Sequence, residues 1–215
     1  MKKHYKVFGL IASVALFASC ASMSTMQTAR TTHKGEFATG FGGGYVKTDV
    51  EIGTLDTISL AAPFMEIGGR YGITDKLDVG AKLTLIGTAG VDVKYQFLGD
   101  KESMFAAAVG GGMGYLSISS GDSESNLVDL QIPVYLSLHP TEWLSIYASP
   151  KYVMRNNFWK SGSTTGTDMS HWYGATGGLR LGKGTAFFAE YSYFGNSAIN
   201  KPFSQFTAGV GIKIR

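Results

Sequence analysis

The stretch Leu77-Asp78-Val79-Gly80-Ala81-Lys82-Leu83-Thr84-Leu85-Ile86 alternates between two kinds of side chain. Leu77, Val79, Ala81, Leu83 and Leu85 fall on one face of an extended chain, and Asp78, Gly80, Lys82 and Thr84 on the other. Strand side chains point to opposite faces with period two, so this is a strand with one oily and one ionic face. A slip of one residue would exchange the faces, which specifies the register strongly.

The segments on either side repeat the scheme. Met65, Ile67, Gly69, Tyr71 and Ile73 oppose Glu66, Gly68, Arg70 and Gly72; further on, Val91, Val93, Tyr95 and Phe97 oppose Asp92, Lys94 and Gln96. Carried along the chain, the alternation predicts ten strands, at about 35–46, 60–73, 77–86, 91–98, 104–116, 127–138, 143–155, 170–181, 186–194 and 203–214. Many approach the 9–11 residues of a tilted membrane-crossing strand, where strands of soluble proteins centre on five or six. From about Gly35 onward no apolar run is long enough for a membrane-spanning helix.

The connections alternate as well. Thr74-Asp75-Lys76, Gly99 to Ser103, His139 to Glu142 and Gly182 to Thr185 are tight, whereas 47–59, 117–126, 156–169 and 195–202 are longer and polar. Only Gly87 to Gly90 is short where the pattern wants a long loop. Short turns at one end and long loops at the other are the habit of outer-membrane barrels, whose strand number is even. Phe37, Tyr71, Phe97, Phe105 and Phe187 belong to the oily face near the short-turn end; Tyr45, Tyr115, Tyr152, Tyr173 and Tyr193 belong to it near the other. Two aromatic bands are expected where a barrel wall meets the two water interfaces.

The fold expected is therefore an all-β, antiparallel, up-and-down transmembrane barrel of about ten strands, eight being the alternative. A lipocalin-like carrier, oily inside and charged outside, has the same alternation; strand length, loop lengths and aromatic bands favour the oily face outward. The lumen then holds Glu66, Arg70, Asp78, Lys82, Asp92, Lys94, Asp129, Lys151, Arg155, Arg180 and Glu190, with Glu36 and Lys213 near its ends. Opposite charges confined together can pair, which predicts a self-neutralising interior that fills a narrow barrel.

Of the 215 residues, the first 19 read as an export signal: Lys2, Lys3 and Lys6, an apolar run from Val7 to Phe17, then small residues. Removing them leaves 16 basic against 16 acidic residues, a neutral mature chain that gives no reason to expect nucleic-acid binding. Charged residues are only 16% and aromatics 13%, a profile unlike that of a disordered chain. Cys20 is the single cysteine, so no internal disulfide or cysteine-based metal site is possible. Phe17-Ala18-Ser19-Cys20 resembles a lipobox, which implies cleavage before Cys20 and its lipidation; ordinary cleavage after Ala21 is the alternative. The domain plan expected is a signal over 1–19, a lipidated end and flexible tether over 20–34, and a barrel over 35–215. Both termini then lie at the periplasmic end, with the lipid anchor on that side.

The run Arg70-Tyr-Gly-Ile-Thr-Asp-Lys-Leu-Asp-Val-Gly80 resembles a hairpin of predicted small outer-membrane barrel proteins of Gram-negative bacteria. Val93 to Phe97 and Phe206 to Ile214 are similar to the same group, the latter to a barrel-assembly signal. The resemblance implies an envelope location, contact with outer-membrane lipids, and handling by the barrel-assembly and lipoprotein-processing machinery. It implies no activity.

No nucleotide loop, zinc-protease motif, nucleophile elbow or metal cluster is present, and no cofactor is expected. The glycine runs 40–44 and 110–114 lie inside strand patterns and read as close packing. Of the four histidines, only His171, beside Asp168 and Ser170, could belong to a hydrolytic site at the outer rim, and neighbours along a strand rarely converge. The role expected is structural or interactive, with Phe158, Trp159 and Lys160 of the outer loops as contact candidates for a ligand the sequence does not name. A small-solute or ion pore is the first alternative, and an outer-leaflet lipid or peptide hydrolase the second.

Overall fold

The computed structural model describes residues 23–52, 56–85, 87–121, 123–196 and 202–214. The signal and Cys20 lie outside these residues. Ten antiparallel strands close into one barrel: β1 (Phe37–Ile52), β2 (Asp56–Thr74), β3 (Leu77–Thr84), β4 (Ala89–Leu98), β5 (Phe105–Ser120), β6 (Ser123–Leu138), β7 (Leu144–Ser161), β8 (Thr164–Leu181), β9 (Thr185–Asn196) and β10 (Phe203–Ile214). Each strand pairs with its neighbours in sequence, and β1 closes the ring against β10 from Phe37↔Ile214 to Thr48↔Phe203. In the band where all ten strands pair on both sides, closure leaves no unpaired edge, as a sheet in hydrocarbon requires.

The two faces sort as the alternation predicts. Leu83 and Phe187 on the outer wall are 56% and 61% exposed, whereas the lumen-facing Asp78 and Glu190 are 0% and 2% exposed. The lipocalin-like alternative, with the oily side inward, is thereby excluded. Tyr152 and Tyr173 stand directly opposite each other in the register, and Phe37 opposes Tyr71, so the two aromatic bands run around the wall. From Phe37 to Tyr45 the wall rises eight residues, about 20 Å for a tilted strand, close to the height of a lipid-facing band.

Three of the expected long loops are instead continuations of strands. β7 and β8 run on past the Tyr152–Tyr173 pair to Ser161 and Thr164 and turn at Gly162-Ser163. Gly162, at φ +59°, takes the left-handed conformation that the first position of a tight hairpin turn requires. β5 and β6 likewise extend to Ser120 and Ser123 with two residues between them, and β1 and β2 to Ile52 and Asp56. Their outward residues above the tyrosine band include Ser117, Ser119, Glu124, Asn126, Asn156 and Thr167, a polar surface suited to water. The barrel therefore has a turn end, with short connections and β1's start, and a hairpin end that projects beyond the membrane band.

Candidate functional site

Residues 23–34 do not form a tether outside the barrel. They pass through the lumen, from Lys34, bridged to Gly72 at the turn end, to Met23, enclosed by Val46, Phe64, Val153, Trp172, Phe194 and Phe203 toward the hairpin end. The wall binds this plug mainly through its backbone. Gln205 accepts from Met23 N (3.1 Å), while Lys151 and Thr176 donate to the Met23 carbonyl (3.0 and 3.1 Å). The Glu190 carboxylate accepts from Thr25 N and Met26 N, and also from the Tyr147 hydroxyl at 2.7 Å. Lys94 donates to the carbonyls of Thr28 and Arg30, each at 3.1 Å. Ser137 accepts from Ala29 N, Gln96 from Thr31 N and Asp78 from Thr32 N. Lys101 donates to the Thr31 and Thr32 carbonyls.

A peptide segment without strand partners must find other matches for its N–H and C=O groups, since each one buried unmatched costs about 1–3 kcal/mol. Here the side chains of the wall take the part of water. That explains what a charged interior does beyond neutralising itself.

The charge network accordingly forms separate groups. Arg70 grips Asp78 through Nη2 (2.5 Å) and Asp92 through Nη1 (2.7 Å), and Lys94 lies 3.6 Å from Asp78. Lys82 stands 3.4 Å from Glu66, which also accepts from the Ser24 hydroxyl. Arg155 and Asp129 make a bidentate pair at 2.7 and 2.6 Å. Three predicted members behave differently: Lys151 binds a plug carbonyl, Glu190 accepts from plug N–H groups, and Arg180 donates to the Lys183 carbonyl at 2.7 Å.

Glycines make room for the plug. A Cβ built on Gly42 would lie 2.5 Å from the Met26 sulfur, and one on Gly209 would lie 2.2 Å from the Met26 methyl. Met26 itself sits at φ +44°, a conformation uncommon outside glycine. Above the plug, Trp172, Phe194 and Phe203 pack with ring centroids 5.3–5.4 Å apart, an apolar layer across the lumen.

The candidate contact residues do not share a face. Phe158 and Lys160 point outward and are exposed, whereas Trp159 points inward, lies over Gly166 and donates its indole N–H to Asp168 at 2.7 Å. His171 points outward and shares a 2.6 Å hydrogen bond with Tyr152; Asp168 and Ser170 face the other side, Ser170 accepting from Trp172. Among the described residues no group of three or more His, Cys, Asp or Glu could hold a metal ion.

A closed barrel with an oily wall, a charged interior and its own chain through the lumen is an integral membrane β-barrel. The chain belongs to the family described as Membrane bound beta barrel domain (DUF5777), which matches residues 17–215. Solved structures similar to it include Ail, the attachment invasion locus protein of Yersinia pestis (11% identity over 85% of this chain and 100% of that one, TM-score 0.42). Neisserial surface protein A is another (12%, 83% and 97%, TM-score 0.45), and the outer membrane protease OmpT of Escherichia coli a third (10%, 83% and 95%, TM-score 0.45). At these values the likeness transfers no function. No curated protein sequence matches the chain significantly.

Proposed function

We propose that this protein is a non-conducting outer-membrane barrel that acts by presenting its projecting hairpins, β5 to β8, at the cell surface. The observation that carries this reading is the filled lumen. With residues 23–34 hydrogen-bonded to side chains around the wall, and an apolar layer above them, no aqueous path favours a porin-like role. What remains free to meet a partner is the hairpin sheet, where Phe158 and Met169 are exposed on an otherwise polar outer face. No catalysis is assigned to His171, whose neighbours Asp168 and Ser170 point away from it.

Lipidation of Cys20 belongs to the same proposal, with its side of the membrane revised. Cys20 lies three Cα steps before Met23, about 11 Å of extended chain. From Val46, beside Met23, down to Phe37 is nine residues, roughly 23 Å of tilted strand. An anchor in the turn-side leaflet and a plug in the lumen thus exclude each other, and the plug favours an N-terminus directed to the hairpin side.

The test joins electrophysiology with topology. The intact protein in a planar bilayer should give a flat current trace, and a steady unit conductance overturns the reading. In intact cells, Ser163→Cys should react with a membrane-impermeant maleimide and Lys183→Cys should not. The reverse pattern would invert the barrel.

A further inference from the structure

A cavity of about 220 Å³ lies between the plug and the wall, running from beside Ser24 and Glu66 to the turn end. Arg30 comes to it from the plug, Arg180 from β8, Lys213 from β10 and His139 from the β6–β7 turn. The carboxylates on the same lining, Glu66 and Asp92, are engaged by Lys82 and Arg70. Among the described residues neither Arg30 nor Arg180 forms a salt bridge, although Asp100 and Glu102 approach Arg30 from the β4–β5 turn. Each guanidinium instead donates to a backbone carbonyl, Ser103 at 2.6 Å and Lys183 at 2.7 Å, and the buried Arg30 Nε has no hydrogen-bond partner.

His139 stands on the same lining as the three cations. Both ring nitrogens are matched, to Ser137 at 2.9 Å and Ser145 at 2.8 Å. Burial and the combined field of Arg30, Arg180 and Lys213 push its pKa down to about 4, so it adds no charge at neutral pH. Two guanidinium forks and an ammonium facing one small cavity are a ready receptor for a multiply charged oxyanion.

We propose that this cavity binds a tetrahedral oxyanion of the phosphate type, held between Arg30 of the plug and Arg180 and Lys213 of the wall. Bound there, the anion ties the plug to two strands of the wall, β8 and β10. Because Lys213 is exposed at the mouth, the phosphate can be inorganic or belong to a lipid headgroup at the turn-side surface.

The experiment uses the full-length protein in a phosphate-free glycoside detergent, titrated with inorganic phosphate at constant ionic strength while thermal unfolding and heat release are followed. The expected result is a saturable rise in Tm that chloride does not reproduce, with affinity at least tenfold weaker in Arg30→Gln and in Arg180→Gln. Lys213→Gln, at the exposed mouth, serves should either arginine variant fail to fold. In phosphatidylglycerol nanodiscs, an unchanged phosphate response assigns the site to the free anion; a response lost there and present in detergent assigns it to the headgroup. No saturable response in detergent, or one equally strong in all three variants, overturns the proposal.

Discussion

The backbone N–H of Thr32, in the plug, points at Oδ2 of Asp78 on the barrel wall from 2.8 Å, while Oδ1 of the same carboxylate is held by Arg70. One side chain therefore ties the lumen charges to the threaded segment. Asp78 is wholly buried, with Lys94 3.6 Å away. Asp78→Leu removes the carboxylate and leaves one buried cation and one peptide N–H unmatched. The expected loss is about 3–5 kcal/mol in chemical unfolding from micelles. Hydrogen exchange at Thr32 should accelerate far more than exchange at outer-wall residues such as Val79. Equal acceleration at both would mean that Asp78 holds the barrel alone and not the plug.

The glycine rows of β1 and β10 make a second, graded prediction. At Gly42 an added methyl meets the thioether end of Met26, which can swing aside; at Gly209 it meets the Met26 methyl and also the Phe41 carbonyl oxygen, 2.5 Å away. A methionine tip yields easily and a paired backbone does not. Gly42→Ala should therefore cost less than about 1 kcal/mol, and Gly209→Ala about 1–3 kcal/mol. Adding Met26→Ala should restore stability lost at Gly42 and leave most of the loss at Gly209. A double-mutant cycle measures this, and equal rescue at both positions would contradict the packing described.

These relationships also mark where the sequence stops being readable. The wall was legible: Leu77 to Leu85 against Asp78 to Thr84 carries the register, because a two-residue period sorts side chains onto two faces, while strand length, loop lengths and the aromatic bands decide which face is outward. The hairpin extensions were not, although Gly162-Ser163 is a tight-turn dipeptide. Above the lipid band most residues on both faces are polar, Phe158, Trp159 and Met169 apart, so 156–169 has the composition of a loop while pairing as strand. The plug was missed for a deeper reason. A Ser/Thr-rich segment such as 23–34 has the same composition whether water or side chains satisfy its backbone. The signal lay elsewhere, in an inward face with Gln96, Ser137, Glu190 and Gln205, more hydrogen-bonding capacity than mutual pairing needs, and in glycines opposite one another at 42 and 209. Likewise the alternation of Phe158, Trp159 and Lys160 put them on two faces as soon as they were known to be strand.

His139 supplies the pH dependence. Its imidazole is buried between two serines, and burial together with three nearby cations pushes the pKa down to about 4, against an ordinary value near 6.5. In the unfolded chain the ring takes up its proton near pH 6.5; in the folded barrel it does not until about pH 4. Between those values the unfolded state binds more protons, so stability falls as the pH falls, by at most about 1.4 kcal/mol per pH unit for one group. Above pH 6.5 this contribution is constant. Replacing the ring by His139→Asn, which keeps a donor and an acceptor for the two serines, should flatten the stability profile between pH 6.5 and 4 and leave it unchanged above. A phosphate held by Arg30, Arg180 and Lys213 would offset the field on His139 and make the wild-type slope shallower. A wild-type slope that survives His139→Asn would mean that the lumen carboxylates, not this histidine, govern the acid response.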